Sequence, residues 1–292
     1  MGTVGLIVHL GRESAATQAG ELADLLLGSG HVVRMPEADA NAAALSDSAR
    51  RDVEIVESED AFGTGLDLVV SLGGDGSILR TVSLVGSSEV PIMGVDHGQL
   101  GYLTEVSPSD APDAVQRFFR GDYAIEARML ESVEVDRKDG SPVEQFLALN
   151  EVVVERSADV NTIRVAVSID DEFFTTYAVD GMIIATPTGS TAYAFSARGP
   201  IIAPSHRALL LAPVSPHMLF DRSLVLEPNN LIECCIDGHR PATVSVDGVR
   251  VAIAGDGATV RCTAAATSAQ LVTFGSRQFH HVLKAKFGLN DR

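Results

Sequence analysis

The chain has 292 residues, more than one hydrophobic core usually organises, so we expect two domains. Its formal net charge of −17 argues against nucleic acid or an anionic membrane as the main partner, because both are polyanions. Three cysteines without metal-ligand spacing, no bilayer-length apolar run and no basic N-terminal region together predict a protein of the reducing cytoplasm.

The first part of the chain alternates strand and helix patterns. Apolar periodicity predicts strands at 4–10, 31–35, 68–72 and 90–95, and helices at 14–27, 77–85 and 109–120. This alternation is typical of a parallel, Rossmann-like sheet, in which ligands bind beyond the carboxyl ends of the strands. We therefore expect an α/β domain over residues 1–122.

The most informative turn of this domain is Gly73-Gly74-Asp75-Gly76, between a buried strand and a helix. Glycines let the backbone approach a ligand, and the helix N-terminus favours an anion, so the turn predicts a phosphate site. The carboxylate of Asp75 would repel phosphate unless it takes a proton from a hydroxyl or holds a metal. An ordinary turn is the alternative, since Asp-Gly also occurs at 139, 180, 237, 247 and 256, mostly as predicted hairpin turns.

After Tyr123 the period changes to that of strands. Alternating or β-branched runs predict strands at 132–135, 152–156, 163–169, 173–179, 224–226, 232–236, 243–246, 249–253 and 259–262. These runs indicate an all-β domain over residues 123–267. A strand at 271–274 and an amphipathic helix at 279–287 follow, so we expect the segment 268–292 to return to the α/β domain.

Two stretches of the β domain carry side chains suited to ligand binding. In Leu149-Asn150-Glu151-Val152, polar residues interrupt an apolar run. A turn with a solvated glutamate is one interpretation. The other is recognition of an adenosine, because an Asn amide matches the adenine edge and a carboxylate accepts hydrogen bonds from ribose hydroxyls.

The second stretch is residues 180–196, read DGMIIATPTGSTAYAFS. Small and hydroxylated residues surround a Gly/Pro turn between an apolar strand and a short helix, where they offer several hydrogen bonds. A helix cap at Ser190 or Thr191 would explain one hydroxyl but not the group.

The order and approximate spacing of these motifs resemble the NAD kinase family of bacterial type. The resemblance implies transfer of the γ-phosphoryl group of ATP, or of polyphosphate in some members, to the 2′-hydroxyl of the adenosine ribose of NAD. It also implies Mg²⁺ or another divalent cation with the ATP, and assembly as a homodimer or homotetramer. The fold of the family, an α/β domain, a β domain and a returning C-terminal segment, agrees with the pattern above.

The same resemblance assigns site residues. Asp75 becomes the proton acceptor, while Gly73, Gly74, Gly76 and Arg80 belong to the phosphate turn and its helix. Asn150 and Glu151 contact the adenosine, and Tyr102 stands where the family usually has a Phe beside the adenine. The remaining residues implied to line the dinucleotide site are Asp180, Thr188, Thr191, Ala192, Tyr193 and Ser196. No protein metal ligands are implied.

Some positions depart from the family pattern. Asp96, Gln99 and Tyr102 replace Asn, Arg and Phe of many members, Ala178 replaces a basic residue, and Arg198 replaces Gly. These changes leave the reaction type unaffected but leave open the choice between NAD and NADH and the details of donor binding.

Three other functions are weighed against this one. A lipid kinase of the related superfamily shares the glycine turn but lacks the run from Thr186 to Tyr193. A nicotinamide-dependent oxidoreductase would carry a Gly-x-Gly-x-x-Gly motif after the first strand, and a P-loop enzyme would carry Gly-x-x-x-x-Gly-Lys-Ser/Thr; neither occurs. A non-catalytic NAD-binding protein would keep the pocket, and only Asp75 argues against it.

Overall fold

The structure, a computed structural model, describes residues 1–98, 101–157, 162–275 and 278–289, with residues 59 and 60 described by their backbone alone. Residues 1–127 together with 269–292 form one compact unit, here called the N-terminal unit. Residues 128–268 form a second, the β unit. Both divisions fall within long strands, at residues 127/128 and 268/269.

The N-terminal unit begins with strands and helices in alternation. Its elements are β1 (Thr3–Val8), α1 (Glu13–Gly28), β2 (Val32–Pro36), α2 (Glu37–Ala42), α3 (Ala49–Asp52), β3 (Glu54–Val56), α4 (Glu59–Phe62), β4 (Leu68–Gly73), α5 (Asp75–Val85), β5 (Pro91–Asp96) and α6 (Ala111–Phe119). The strands pair in parallel in the order β3-β2-β1-β4-β5, which confirms the predicted Rossmann-like sheet. β4 is buried at every position, as expected for a central parallel strand covered on both faces.

Four short elements between residues 37 and 62 are absent from the sequence prediction. α2, α3, β3 and α4 are each three to six residues long, too short to show a hydrophobic period. They nevertheless add to the core, since Ala40 and Phe62 are fully buried.

The β unit consists almost entirely of antiparallel strands. The elements that follow α6 are β6 (Ala124–Asp136), β7 (Glu144–Ala148), β8 (Glu151–Arg156), β9 (Ile163–Ile169), β10 (Glu172–Val179), β11 (Gly181–Ala185), α7 (Tyr193–Ser196), β12 (Leu209–Val214), β13 (Leu224–Leu226), β14 (Ile232–Ile236), β15 (Ala242–Val246), β16 (Val249–Ala254) and β17 (Thr259–Thr273). One sheet has the order β13-β12-β11-β8-β15-β16, and a second contains β10-β9-β14-β17 with the hairpin β6–β7. The predicted all-β character is confirmed.

Two of these strands, β7 and β12, are not predicted from the sequence. β12 is a continuous apolar run, which periodicity alone cannot distinguish from a buried helix segment. β7 is mostly half-buried and shows no clear alternation. The core of the β unit includes Val152, Val165, Met182 and Val244 from both sheets.

The end of the chain returns to the N-terminal unit, as predicted. Gln270 and Leu271 of β17 pair in parallel with β5, and the last helix, α8 (Phe279–Lys286), belongs to the same unit. None of the described helices is long and apolar enough to cross a membrane. The three cysteines are free thiols, and Cys234 and Cys262 are buried.

Candidate active site

The glycine turn lies where β4 ends and α5 begins. In the register of the sheet Gly73 lies beside Asp96, so both are at the carboxyl edge of their strands. A Cβ atom at Gly73 would lie 2.0 Å from Ser77 Oγ, which requires glycine there, whereas Gly74 and Gly76 have no atom within 4 Å of that position. The first N–H groups of a helix have no intrahelical partner, so the open side of this turn can receive an anion.

The carboxylate of Asp75 is held in a fixed orientation. Its Oδ2 accepts a hydrogen bond from the backbone N–H of Tyr102 at 2.9 Å, and its Oδ1 accepts one from Leu103 at 2.9 Å. Gly101 permits this approach, since a Cβ there would lie 2.3 Å from Asp75 Oδ1. Each carboxylate oxygen keeps a second lone pair, so Asp75 can still accept a substrate hydroxyl.

A cavity of about 490 Å³ adjoins the turn. It is lined by Val8 at the end of β1, by residues 9–12 after it, and by Gly74, Gly76, Ser77, Arg80 and Gly98. It contains two guanidinium groups. That of Arg12 donates a hydrogen bond to the backbone carbonyl of His97. Arg12 is absent from the predicted site residues, although its place just after the first strand, at the same sheet edge, could have suggested it.

Arg80 is anchored by a second residue that the sequence analysis misses. Its guanidinium forms a bidentate ion pair with Asp39 of α2, with N···O distances of 2.9 and 2.5 Å. Asp39 is fully buried and also accepts the Val8 N–H at 2.7 Å. Asp39 therefore fixes the Arg80 guanidinium at the cavity wall. The pair has the bidentate geometry that arginine commonly forms with a carboxylate.

Tyr102, implied to lie beside adenine, packs against the C-terminal helix of the same unit. Its ring centroid is 6.4 Å from that of Phe279, and Lys286 Nζ lies 4.2 Å from the Tyr102 centroid. Burial raises the pKa of the Tyr102 phenol, and the charge of Asp75 adds to the effect.

In the β unit, Asn150 and Glu151 lie at the junction of β7 and β8. The carboxylate of Asp247 accepts the backbone N–H groups of Leu149 (2.8 Å), Asn150 (2.8 Å) and Glu151 (3.1 Å). From the other direction, Thr186 donates its N–H to the Asn150 carbonyl at 2.9 Å and its hydroxyl to the Leu149 carbonyl. The backbone of the motif is thus fixed by two other segments.

The side chains of this motif retain hydrogen-bonding capacity. The Asn150 amide and the buried Oε2 of Glu151 have no hydrogen-bond partner among the residues that the structure describes. Glu151 is 7% exposed, and burial raises its pKa to about 7, with the charge of Asp247 as a second cause. Buried polar atoms normally have partners, so the Glu151 oxygen is suited to a ligand, while the Asn150 amide is half-buried and accessible to one.

The hydroxyl-rich turn uses most of its hydroxyls internally. Ser190 Oγ donates to the Pro187 carbonyl at 2.7 Å and accepts the Ile202 N–H at 2.9 Å. Thr191 Oγ1 donates to the Thr188 carbonyl at 3.2 Å. Hydrogen bonds within and around the turn therefore explain most of these hydroxyls. A single helix cap would have explained only one of them.

Thr188 differs from its neighbours because its hydroxyl contacts a buried cation. Arg128 of β6 donates from Nη1 to Thr188 Oγ1 at 3.4 Å, and both residues are buried. Arg128 is a second cation missing from the sequence prediction. Its contact with Thr188 comes from tertiary packing across 60 residues of sequence.

The two recognition motifs meet at Gly189. A Cβ there would lie 2.1 Å from the Asn150 carbonyl oxygen, so the turn packs directly on Asn150. The backbone N–H of Tyr193 also forms a hydrogen bond with Glu151. This bond lowers the pKa of Glu151 but is outweighed by burial, which raises it. The structure thus brings the two predicted motifs of the β unit together.

Tyr193, Ser196 and Asp180 lie nearer the surface. The Tyr193 ring is 39% exposed, and burial, followed by the charges of Glu155 and Asp180, raises the pKa of its phenol. Ser196 is exposed and Ala192 is half-buried. Asp180 forms an ion pair with Arg156 at 3.3 Å.

The departures from the family pattern have local consequences. Arg198 adopts φ of +65°, a left-handed conformation that explains why glycine is usual there. Asp96 Oδ1 accepts the Gly98 N–H at 2.9 Å, and the carbonyl of Ala178 accepts the His217 N–H at 2.8 Å. Gln99 lies outside the described residues.

Within the described ranges, no group of three or more His, Cys, Asp and Glu side chains is placed to hold a metal ion. Asp96 is a carboxylate at the carboxyl edge of the parallel sheet, beside Gly73 of the turn. A single carboxylate can suit Mg²⁺, which is usually bound through one or two carboxylates together with substrate phosphates.

Comparison with known proteins identifies related chains. The ATP-NAD kinase N-terminal domain model matches residues 4–123, and the ATP-NAD kinase C-terminal domain model matches residues 149–274. NAD kinase 2 of Streptomyces avermitilis is 37% identical over 289 residues, which are 98% of this chain and 94% of the relative. NAD kinase of Heliobacterium modesticaldum is 42% identical over 224 residues, or 76% and 78% of the two chains.

Solved structures agree with these matches. A yeast NADH kinase complexed with NADH has the same fold, with a TM-score of 0.88 at 22% identity over 100% of this chain and 89% of that one. An NAD kinase from Archaeoglobus fulgidus in complex with ATP has a TM-score of 0.70 at 25% identity, covering 99% and 98%. With both family models matched and relatives aligned over nearly its whole length, this chain belongs to the ATP-NAD kinase family of enzymes.

Proposed function

We propose that this kinase transfers the γ-phosphoryl group of ATP to the 2′-hydroxyl of the adenosine ribose of NAD, which yields NADP and ADP. The observation that carries the proposal is the orientation of Asp75, fixed by the Tyr102 and Leu103 N–H groups at the start of α5. A carboxylate would repel the phosphate in such a turn, but it can act as a general base for a substrate hydroxyl that attacks the phosphate.

The donor phosphates are assigned to the cavity beside the glycine turn. Phosphoryl transfer depends mainly on positioning and on neutralising charge at the phosphate oxygens. The N–H groups at Gly74 and Gly76 and the guanidinium groups of Arg12 and Arg80 supply donors there. Because Asp39 holds Arg80 by two bonds, that cation needs little reorganisation during the reaction.

In the chemical step the 2′-oxygen forms a bond to the γ-phosphorus while the bond from that phosphorus to the bridging oxygen of ADP breaks. The hydroxyl proton passes to Asp75, which requires a distance of about 3 Å between the two oxygens. ADP leaves with the electron pair of the broken bond. Asp75 then returns its proton to solvent.

Recognition of NAD is assigned to the β unit. Asn150 would read the adenine edge and Glu151 the ribose hydroxyls, and both retain free hydrogen-bonding capacity. The other residues of the β unit proposed to line this site are Asp180, Thr188, Thr191, Ala192, Tyr193 and Ser196. Tyr102 of the N-terminal unit is proposed separately as the residue beside the adenine.

A divalent cation, expected to be Mg²⁺, would accompany the ATP. Asp96, at the carboxyl edge of β5, is the carboxylate proposed to help hold it, together with the donor phosphates. When bound, the cation neutralises phosphate charge.

The direct test uses the purified protein with NAD, ATP and Mg²⁺, and follows NADP with an NADP-specific dehydrogenase. We expect ATP-dependent formation of NADP, and parallel reactions with polyphosphate and with NADH measure donor and acceptor preference. A reaction with diacylglycerol in micelles tests the lipid kinase alternative. NADP formation no faster than in the control without ATP would rule out the proposed function.

We also propose that the active form is a homodimer or homotetramer in the reducing cytoplasm. Several large apolar side chains of the β unit are exposed, among them Phe173 at 67% and Leu219 at 105%, and Phe174 contacts Phe220 with ring centroids 5.8 Å apart. Exposed apolar groups and strand edges are commonly covered by a second subunit. Light scattering at micromolar concentration tests this prediction: a mass of one chain with full activity would contradict it.

A further inference from the structure

Asp247 lies in a tight turn whose backbone role is ordinary. Asp247 and Gly248 join β15 to β16, with φ values of +47° and +80°. Positive φ at both central residues of a two-residue loop is the geometry that Asp-Gly favours in hairpins. The sequence prediction of a hairpin turn is correct here, but it leaves the side chain unexplained.

The Asp247 side chain organises a segment about a hundred residues earlier in the chain. One carboxylate accepts the N–H groups of Leu149, Asn150 and Glu151, and the Asp247 N–H donates to the Glu151 carbonyl at 3.0 Å. With the two bonds from Thr186, every backbone N–H and C=O group of residues 149–151 has a partner. Hydrogen bonds to an ionised carboxylate are roughly twice as strong as neutral ones.

We propose that Asp247 is a positioning residue for NAD recognition, which fixes the backbone of Asn150 and Glu151 so that their side chains present the adenosine-binding groups. The inference rests on the proposed function of those two residues. Asp247 acts through them and needs no contact with substrate.

Asp247 also contributes to the electrostatics of the motif, and burial raises its own pKa. Three acids influence one another here: Asp247, Glu151 and the buried Glu131 of β6. The charges of the other two raise the pKa of Glu131, and the charge of Asp247 raises that of Glu151, whereas the hydrogen bond from the Tyr193 N–H lowers the pKa of Glu151. Burial is the main reason why the pKa of Glu151 rises to about 7, and the Asp247 charge is the second. Removing that charge should therefore lower the pKa of Glu151.

The closing experiment measures NAD affinity by calorimetry and the KM values for NAD and ATP, using Asp247→Ala and Asp247→Asn. The alanine variant loses all three acceptor bonds, so we expect NAD affinity to fall by about tenfold or more, with the KM for ATP within about threefold. In the asparagine variant an oxygen at the Oδ1 position still accepts from Asn150 and Glu151, so the loss should be smaller. Its pH profile of kcat/KM for NAD should have an inflection at lower pH than in the wild type.

The matched control is Asp256→Asn, another Asp-Gly turn of the β unit, whose carboxylate accepts the Gly238 N–H at 2.7 Å. It should leave NAD affinity and the pH profile unchanged. Unchanged NAD affinity in folded Asp247→Ala would overturn the proposal. If the alanine variant does not fold, unchanged NAD affinity together with an unshifted pH profile in Asp247→Asn would overturn it. A wild-type protein that binds NAD but makes no NADP refutes the proposed function instead, and the calorimetric comparison still decides the role of Asp247.

Discussion

At Asp75 a single carboxylate serves both the fold and the proposed chemistry. It joins the start of α5 to the Tyr102–Leu103 backbone through two hydrogen bonds of 2.9 Å. The same bonds orient the group that would accept the ribose proton. Both the local fold and the proposed proton transfer therefore require a carboxylate at position 75.

Asp75→Asn should lower kcat by about 10²–10⁴-fold with little change in the KM for NAD, because an amide cannot accept the proton in the transition state. Steady-state kinetics with the coupled NADP assay measures this. Asp67→Asn is the control, since Asp67 also accepts a backbone N–H, that of Thr3 at 2.7 Å, away from the turn. Unchanged kcat in Asp75→Asn would exclude its role as base.

Glu131 is a fully buried acid of the β unit. Burial raises its pKa well above the ordinary value, and the charges of Asp247 and Glu151 act in the same direction. The native state therefore binds a proton that the unfolded chain loses above its pKa of 4.5. Stability from this group is complete below that value and is lost as pH rises toward the folded pKa.

Glu131→Gln cannot ionise and should remove this pH dependence. We expect the free energy of unfolding of the variant relative to wild type to increase from pH 5 to pH 8, by about 1 kcal/mol for each pH unit in which only the unfolded chain ionises. Urea denaturation at several pH values measures it. Parallel stability curves for the two proteins would show that Glu131 does not titrate in this range.

Sequence reasoning succeeds at residues whose chemistry is local. The glycine turn is recognisable because strand, turn and helix follow one another within residues 68–85. Asp39 and Asp247 are missed because their partners come from tertiary packing: Asp39 meets Arg80 across 41 residues, and Asp247 meets Asn150 across 97. A single sequence contains no signal for such distant pairs.

At the scale of elements, the turn before α7 is a packing unit as well as a binding motif. Its backbone at Gly189 lies against Asn150, and its Ser190 and Thr191 hydroxyls close the turn on itself. The sequence shows the group of hydroxyl side chains but not that they bond to the backbone of their own turn. Turn formation and ligand binding favour the same residue types, so the pattern alone cannot distinguish them.

Gly189→Ala should separate the two recognition motifs, since the new Cβ would lie 2.1 Å from a backbone oxygen that has no rotamer to change. We expect a loss of roughly 1–3 kcal/mol in unfolding free energy and a raised KM for NAD. Thermal melting and kinetics measure both. Gly255→Ala is the control because nothing lies within 4 Å of its Cβ position, and equal effects of the two substitutions would contradict the packing argument.

At the scale of the whole molecule, each compact unit is assigned its own part of the proposed function. The N-terminal unit carries Asp75 and the phosphate-binding turn, and the β unit carries Asn150 and Glu151. The alternation of strands and helices and the later change to a strand period predict both architectures. The short elements between residues 37 and 62 escape prediction because each is too short to show a hydrophobic period.

The new phosphate should be attached to the adenosine ribose of NAD. Asp75 needs a hydroxyl beside the donor phosphate, and Asn150 with Glu151 offers groups suited to an adenine edge and a ribose, so the acceptor should be the adenosine 2′-hydroxyl. A site that hydrogen-bonds a hydroxyl can reject the analogue lacking it by about 10⁴-fold, because its polar groups stay unpaired. We expect 2′-deoxyadenosine NAD to be inert as a substrate and to inhibit weakly. Phosphorus NMR of the product from NAD should show a monoester coupled to the 2′ position, whereas phosphate at the 3′ position or on the nicotinamide ribose would refute the assignment.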